Sequence, residues 1–144
     1  MEKVIRQISL FAENKPGKLA TVARVLGEAK VNIRALTIAE AGDFGVIRMV
    51  VDDTQKAYEV LSEKGFTVSV TGVIGAEIRD VPGELYKIAG VLGDNDVNID
   101  YAYSFLTPHE KAILIIRVDD TERAVELLEK NGIKVVTEDE ISRI

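Results

Sequence analysis

The sequence predicts an α+β fold: two tandem ferredoxin-like βαββαβ units, each an antiparallel sheet carrying two helices on one face. Three observations predict it. The chain repeats itself, since Pro16-Gly17 recurs as Pro82-Gly83 and Val31-Asn32-Ile33 as Val97-Asn98-Ile99, each 66 positions later. Asp52-Asp53-Thr54 recurs as Asp119-Asp120-Thr121 and Gly65 as Gly132, now 67 later, so the second copy has one extra residue near Thr107-Pro108-His109. Within each copy, β-type runs and helix-type apolar stripes alternate in one order: strand, helix, strand, strand, helix, strand. Finally, 144 residues with 47% apolar and 29% charged side chains suit a globular chain of one domain or two small ones.

Each element has a local reason. Residues 4–12 are rich in β-branched and aliphatic types and predict a strand. Pro16-Gly17 opens a helix, where a proline near the first turn loses no needed donor. Leu19, Val22, Ala23 and Leu26 form its apolar stripe, repeated by Leu85, Ile88, Ala89 and Leu92, with Gly27 and Gly93 where the stripes end. Residues 31–40 and 44–52 form a hairpin closed around Ala41-Gly42-Asp43. A second helix over 53–64 turns Ala57, Val60 and Leu61 inward, and 66–71 is the last strand. The second copy maps as 73–80, 82–95, 97–106, 110–118, 120–131 and 133–138. Domains are expected at 1–71 and 72–144, with almost no linker at Thr71-Gly72 and the two sheets joined side by side. The third strands, Val46–Val51 and Ala112–Ile116, are apolar on both faces, so the second face should be covered by the sister unit or another chain.

Charge and composition narrow the function. Twenty-four acidic against 18 basic residues give a net charge of −6, a poor surface for nucleic acid or anionic lipid. The absence of cysteine excludes disulfides and thiolate metal sites. No apolar run approaches a membrane span, and Met1-Glu2-Lys3 leads directly into a β-type run, which predicts a cytoplasmic protein without a signal peptide. The third strands lack the aromatics that RNA-recognition modules stack on bases. The loops Glu13–Gly17 and Arg79–Gly83 lack the arginine-centred cradle of an acylphosphatase-like enzyme. His109 is the only histidine and has no counterpart in the repeat, so no serine relay is expected and no catalytic residue is assigned. Asp52-Asp53 and Asp119-Asp120 stand at helix starts with Gln55 or Glu122 three residues beyond the first aspartate, which predicts capping boxes. Tyr101, Tyr103 and Phe105 alternate on one face where the first copy has Ala35, Thr37 and Ala39, and are expected to pack.

The loops also make a socket. Backbone N–H groups at a helix start exposed by Pro-Gly suit a carboxylate, and an amide or carboxylate beside them can accept from an ammonium group. The run Ser9–Leu19 followed by Val31-Asn32-Ile33 resembles the ACT domain of amino-acid metabolism, and the repeat extends the resemblance to about Asp139. The resemblance implies a non-catalytic regulatory protein that binds a free amino acid at the domain interface, without metal or cofactor. It carries ligand contacts onto Asn14, Pro16, Gly17, Leu19, Asn32 and Ile33 in the first copy. In the second copy the matching positions are Asp80, Pro82, Gly83, Leu85, Asn98 and Ile99. Ala12 and Ile78 stand where the serine-sensing phosphoglycerate dehydrogenase has a histidine. The implied partners are the amino acid and a second copy of the chain. Two alternatives are a regulatory subunit of an enzyme resembling acetolactate synthase and a purely structural dimerisation module.

Overall fold

The computed structural model describes residues 3–107 and 111–143. It divides into an N-terminal unit, Arg6–Thr71, and a C-terminal unit formed by Gly72–Ile144 together with the N-terminal residues through Ile5. The fold is α+β with two antiparallel βαββαβ units. The first contains β1 (Ile5–Glu13), α1 (Lys18–Glu28), β2 (Ile33–Ala41), β3 (Phe44–Val51), α2 (Thr54–Glu63) and the start of β4 (Thr67–Arg79). Its strand order is β2-β3-β1-β4, with β2 at the edge. The second uses the rest of β4, then α3 (Glu84–Asp94), β5 (Ile99–Thr107), β6 (Lys111–Val118), α4 (Thr121–Lys130), β7 (Val135–Val136) and α5 (Glu138–Ser142). Here β6 lies between β4 and the edge strand β5, and β7 also pairs with β4.

Each unit has its own core. Ile8, Leu10, Ile47 and Met49 of the first sheet pack with Val22 and Leu26 of α1 and Ala57 and Leu61 of α2. The repeat-related Ile74, Ala76, Leu114 and Ile116 pack with Ile88 and Leu92 of α3 and Ala124 and Leu128 of α4.

Four details depart from expectation. Residues 66–71 and 73–80 are one strand, because Gly72 bends nothing. A Cβ there would lie 2.9 Å from Val4 Cγ1, so the glycine makes room for a side chain instead of turning the chain. Gly27 and Gly93 lie inside their helices, and the left-handed residues beyond the helix ends are Lys30 (φ 62°) and Asp96 (φ 60°). Pro16 precedes the N-cap of α1, Gly17, and so lies outside the helix. The last strand shrinks to Val135–Val136 because Thr137 starts α5, an element with no signal in the repeat. Thr137 Oγ1 accepts from Glu140 N–H at 3.1 Å while the Glu140 carboxylate accepts from Thr137 N–H at 3.0 Å.

The second face of the C-terminal sheet is covered from within. Gly75 alternates with the core-facing Ile74 and Ala76, and a Cβ on it would lie 2.8 Å from Val136, 2.9 Å from Ile5 and 3.3 Å from Ile113. Ile5, Val73, Ile113, Ile115 and Val136 are all buried. Neither a sister unit nor another chain is needed to cover this part of the face. Tyr101, Tyr103 and Phe105, partly buried, stand opposite Arg117, Ile115 and Ile113 on that same face. His109 lies outside the described residues.

Candidate functional site

The chain treats its helix starts in two ways. Asp53 and Asp120 cap α2 and α4, each accepting at 3.1 Å from a backbone N–H three residues on, and Thr137 caps α5. The partner residues are Lys56 and Arg123, so these are simple aspartate caps and not the expected capping boxes. By contrast, α1 and α3 begin at Gly17 and Gly83, with φ of 90° and 93° and no side-chain cap. Only glycine takes this left-handed turn without strain, and it leaves the first helical turn without a side-chain cap at the same place in both units, with the Lys18 N–H of α1 donating to Lys15 O at 3.3 Å.

Asn14 is tied to the β2–β3 turn. Its N–H donates to Asp43 O at 2.8 Å and its Nδ2 to Gly42 O at 3.1 Å, which leaves Oδ1 as a free acceptor among the described residues. Asn14 and Leu19 share a cleft of about 160 Å³ with Glu13, Lys18, Ile38 and Ile47. Leu19 and its repeat mate Leu85 were expected in the apolar stripes, but both are exposed at the tops of their helices. Pro16 and Gly17 frame the loop and are exposed.

Asn32 is elsewhere. Its N–H donates to Asp52 Oδ1 at 2.9 Å and its carbonyl accepts from Asp52 N–H at 3.1 Å, at the opposite end of β2 from the turn that holds Asn14. Nine residues of strand, at about 3.3 Å each, put roughly 30 Å between those ends. One unit therefore cannot offer Asn14 and Asn32 to the same small ligand. Ile33 beside Asn32 packs against the core. The first aspartate of each Asp-Asp pair thus pins a backbone and the second caps a helix, an assignment that sequence spacing alone missed.

The C-terminal loop repeats the frame with different chemistry. Glu84, in the first turn of α3, accepts from Arg79 N–H at 3.1 Å and pairs with Arg79 Nε at 3.5 Å. The backbone bond from Arg79 is the main reason the Glu84 carboxyl is held below its ordinary 4.5. In the N-terminal loop the matching positions carry opposite signs: Lys18 pairs with Glu13 at 3.4 Å, and Lys15 with Glu13 at 2.9 Å. The hydrogen bond from Lys15 is the leading cause of the lowered Glu13 carboxyl. Asp80, Pro82 and Gly83 are exposed. Asn98 repeats the backbone pair with Asp119, at 3.2 and 3.3 Å, and turns its Nδ2 onto Asp100 Oδ1 at 2.9 Å; Ile99 packs on the second core.

A further pair of clefts adjoins these loops, between the first helix, the loop after the second helix and the last strand of each unit. In the N-terminal unit it measures about 380 Å³ and is lined by Phe11, Phe44, Phe66, Lys18, Arg24 and Lys64 among others. In the C-terminal unit it measures about 160 Å³, with Glu77, Arg79, Glu84, Lys111 and Lys134 in its lining. Three of the chain's four phenylalanines in one cleft were a signal available in the sequence once the repeat was aligned. Among the described residues, no group of three or more His, Asp or Glu side chains is placed to hold a metal ion, and no helix is long and apolar enough to cross a membrane.

Comparison with known proteins agrees with the fold. A family model described as an ACT domain pair matches residues 3–144. No curated protein matches the sequence. Among solved structures, protein BT0572 from Bacteroides thetaiotaomicron is 36% identical with a TM-score of 0.93, covering 99% of this chain and 98% of its own. The ligand-free regulatory subunit of aspartate kinase from Thermus thermophilus has the same fold at 18% identity and TM-score 0.66, covering 90% and 93% of the two chains. The corresponding subunit from Thermus flavus is 21% identical with a TM-score of 0.61, covering 86% and 88%.

Proposed function

This chain belongs to the ACT domain pair family, and on that premise we propose that it is a regulatory protein that binds a free amino acid at the loop before α1. The observation that carries the reading is the contrast among helix starts. α2, α4 and α5 are closed by their own side chains, whereas α1 and α3 are left open behind a left-handed glycine. The uncapped first-turn N–H groups beyond Lys18 suit the ligand carboxylate. Asn14 Oδ1 is free to accept from the ammonium group. Exposed Leu19 offers apolar contact, and about 160 Å³ is room for a small side chain.

The C-terminal loop is the weaker socket in this reading, because the Glu84 carboxylate already occupies the loop backbone. The edge strand β2, which exposes Leu36 and Ile38, supports self-association into a homodimer. A thermal-shift screen of the twenty amino acids tests the central claim. A bound ligand at a hundred times its Kd adds about 2.7 kcal/mol, visible as a raised Tm. One amino acid should raise the Tm of the parent and not of Asn14→Ala. A screen in which none does so overturns the proposal.

A further inference from the structure

We infer that the N-terminal unit holds a second ligand site, the cleft lined by Phe11, Phe44 and Phe66 with Lys18, Arg24 and Lys64, and that it takes a small aromatic carboxylate. It adjoins the Asn14–Leu19 cleft, with Ala12, Glu13 and Lys18 lining both, and it is argued independently of the amino-acid reading.

Size is the first argument. At about 380 Å³ the cleft falls within the range of small-molecule sites, about 300–1,000 Å³, and is more than twice the size of its repeat mate at about 160 Å³. Chemistry is the second. Phe11 is 57% exposed and Phe44 54%, an uncommon cost for large aromatic rings unless something covers them. Beside them stand three cations and one carboxylate, Glu13, in a chain whose net charge is −6. Glu13 is shared between Lys15 and Lys18, Arg24 pairs only with the exposed Glu28 outside the cleft, and Lys64 has no ion pair among the described residues. Apolar rings with unsatisfied positive charge fit a ligand that has a ring and an anionic group.

The repeat supplies the control. Phe11 and Phe44 correspond to Glu77 and Lys111, which form an ion pair at 3.6 Å. Thr67 corresponds to Lys134, which is held by Glu140 of α5 at 3.2 Å. The C-terminal cleft is thus closed by its own charges, and the N-terminal copy has rings where those charges stand.

The test uses the intact chain and phenylacetate, followed by amide chemical shifts. Phenylacetate should shift residues around Thr21–Val25 and Lys64–Thr67. Acetate lacks the ring and phenylacetamide lacks the charge, so neither should do so at equal concentration. Lys64→Ala, at an exposed position, should weaken binding about tenfold. Phe11→Glu with Phe44→Lys writes the C-terminal ion pair into this cleft and should abolish binding while the remaining spectrum stays folded. Phenylacetate should bind whether or not any amino acid raises the Tm in the thermal screen, which separates this site from the loop. Equal binding of phenylacetamide, shifts confined to the C-terminal cleft, or the same shifts produced by raising protein concentration alone would each overturn the inference.

Discussion

The two loops that lead into α1 and α3 have one backbone and opposite charges. Both end in a left-handed glycine and an uncapped helix. Across the first, Glu13 on the strand faces Lys18 on the helix; across the second, Arg79 faces Glu84. The ion pair recurs at the same two positions with its sign reversed, so the frame tolerates either polarity. What the reversal changes is availability. In the N-terminal loop the carboxylate is taken by lysine side chains. In the C-terminal loop it is drawn onto the backbone of Arg79. Duplicate frames of this kind let one copy stay open while the other closes on itself.

The comparison can be broken most severely at Gly75, whose counterpart in the first copy is Ser9. Gly75→Ser drives a Cβ into Val136 and Ile5 and should cost about 1–3 kcal/mol, read as a lower urea midpoint at unchanged slope. A midpoint equal to the parent's would mean that the second face of this sheet is not tightly packed. Next, the caps of α2 and α4 are alike in length. Asp53→Ala and Asp120→Ala should therefore each lower stability by about 1 kcal/mol, and a clear difference between them would show that the copies depend unequally on capping.

Smaller still is the effect of rewriting the first loop with the polarity of the second. Glu13→Arg together with Lys18→Glu should leave the Tm near the parent's, whereas Glu13→Arg alone, which adds a third cation beside Lys15 and Lys18, should lower it. The smallest effect separates the causes of the two lowered carboxyl groups. Both Glu13 and Glu84 should titrate below 4.5, so each stabilises the fold above that pH and loses its contribution as pH falls through its own folded value. Molar salt screens exposed ammonium partners, so Glu13 should move back towards 4.5. Glu84, held chiefly by a backbone N–H, should stay low. A carboxyl-detected titration in low and high salt checks both.

Much of this was readable in advance because duplication states each element twice. The order of elements, the cores and the Pro-Gly loops followed from apolar period and from motifs present in both copies. Features present in one copy only were less legible. α5 has no repeat mate, and the coverage of Gly75 depends on Val136 and Ile5, far away in sequence. The 71–72 junction misled because a glycine usually signals a break, and here it accommodates Val4. At the candidate site, Asn14 and Asn32 are both expected to contact ligand at the domain interface, and spacing in sequence carries no measure of which end of a strand each occupies. The Asp52 side chain looked like a cap for the same reason, and it is Asn32 that it binds.

Lys3 Nζ donates to Val135 O at 3.2 Å, a bond across 132 positions, and pairs with Glu129 at 3.6 Å. Lys3 is thus made long before either of its partners. The N-terminal unit is complete as soon as Thr71 has been made. Val4 and Ile5 must wait until Gly72, Gly75 and Val136 have been made. Closing so long a loop is slow relative to the local contacts of the helices and hairpins. During synthesis the apolar seam around Gly75 therefore stays unfinished, the period in which a chaperone or a protease would find this chain most accessible. A fragment starting at Gly72 would carry that opening permanently.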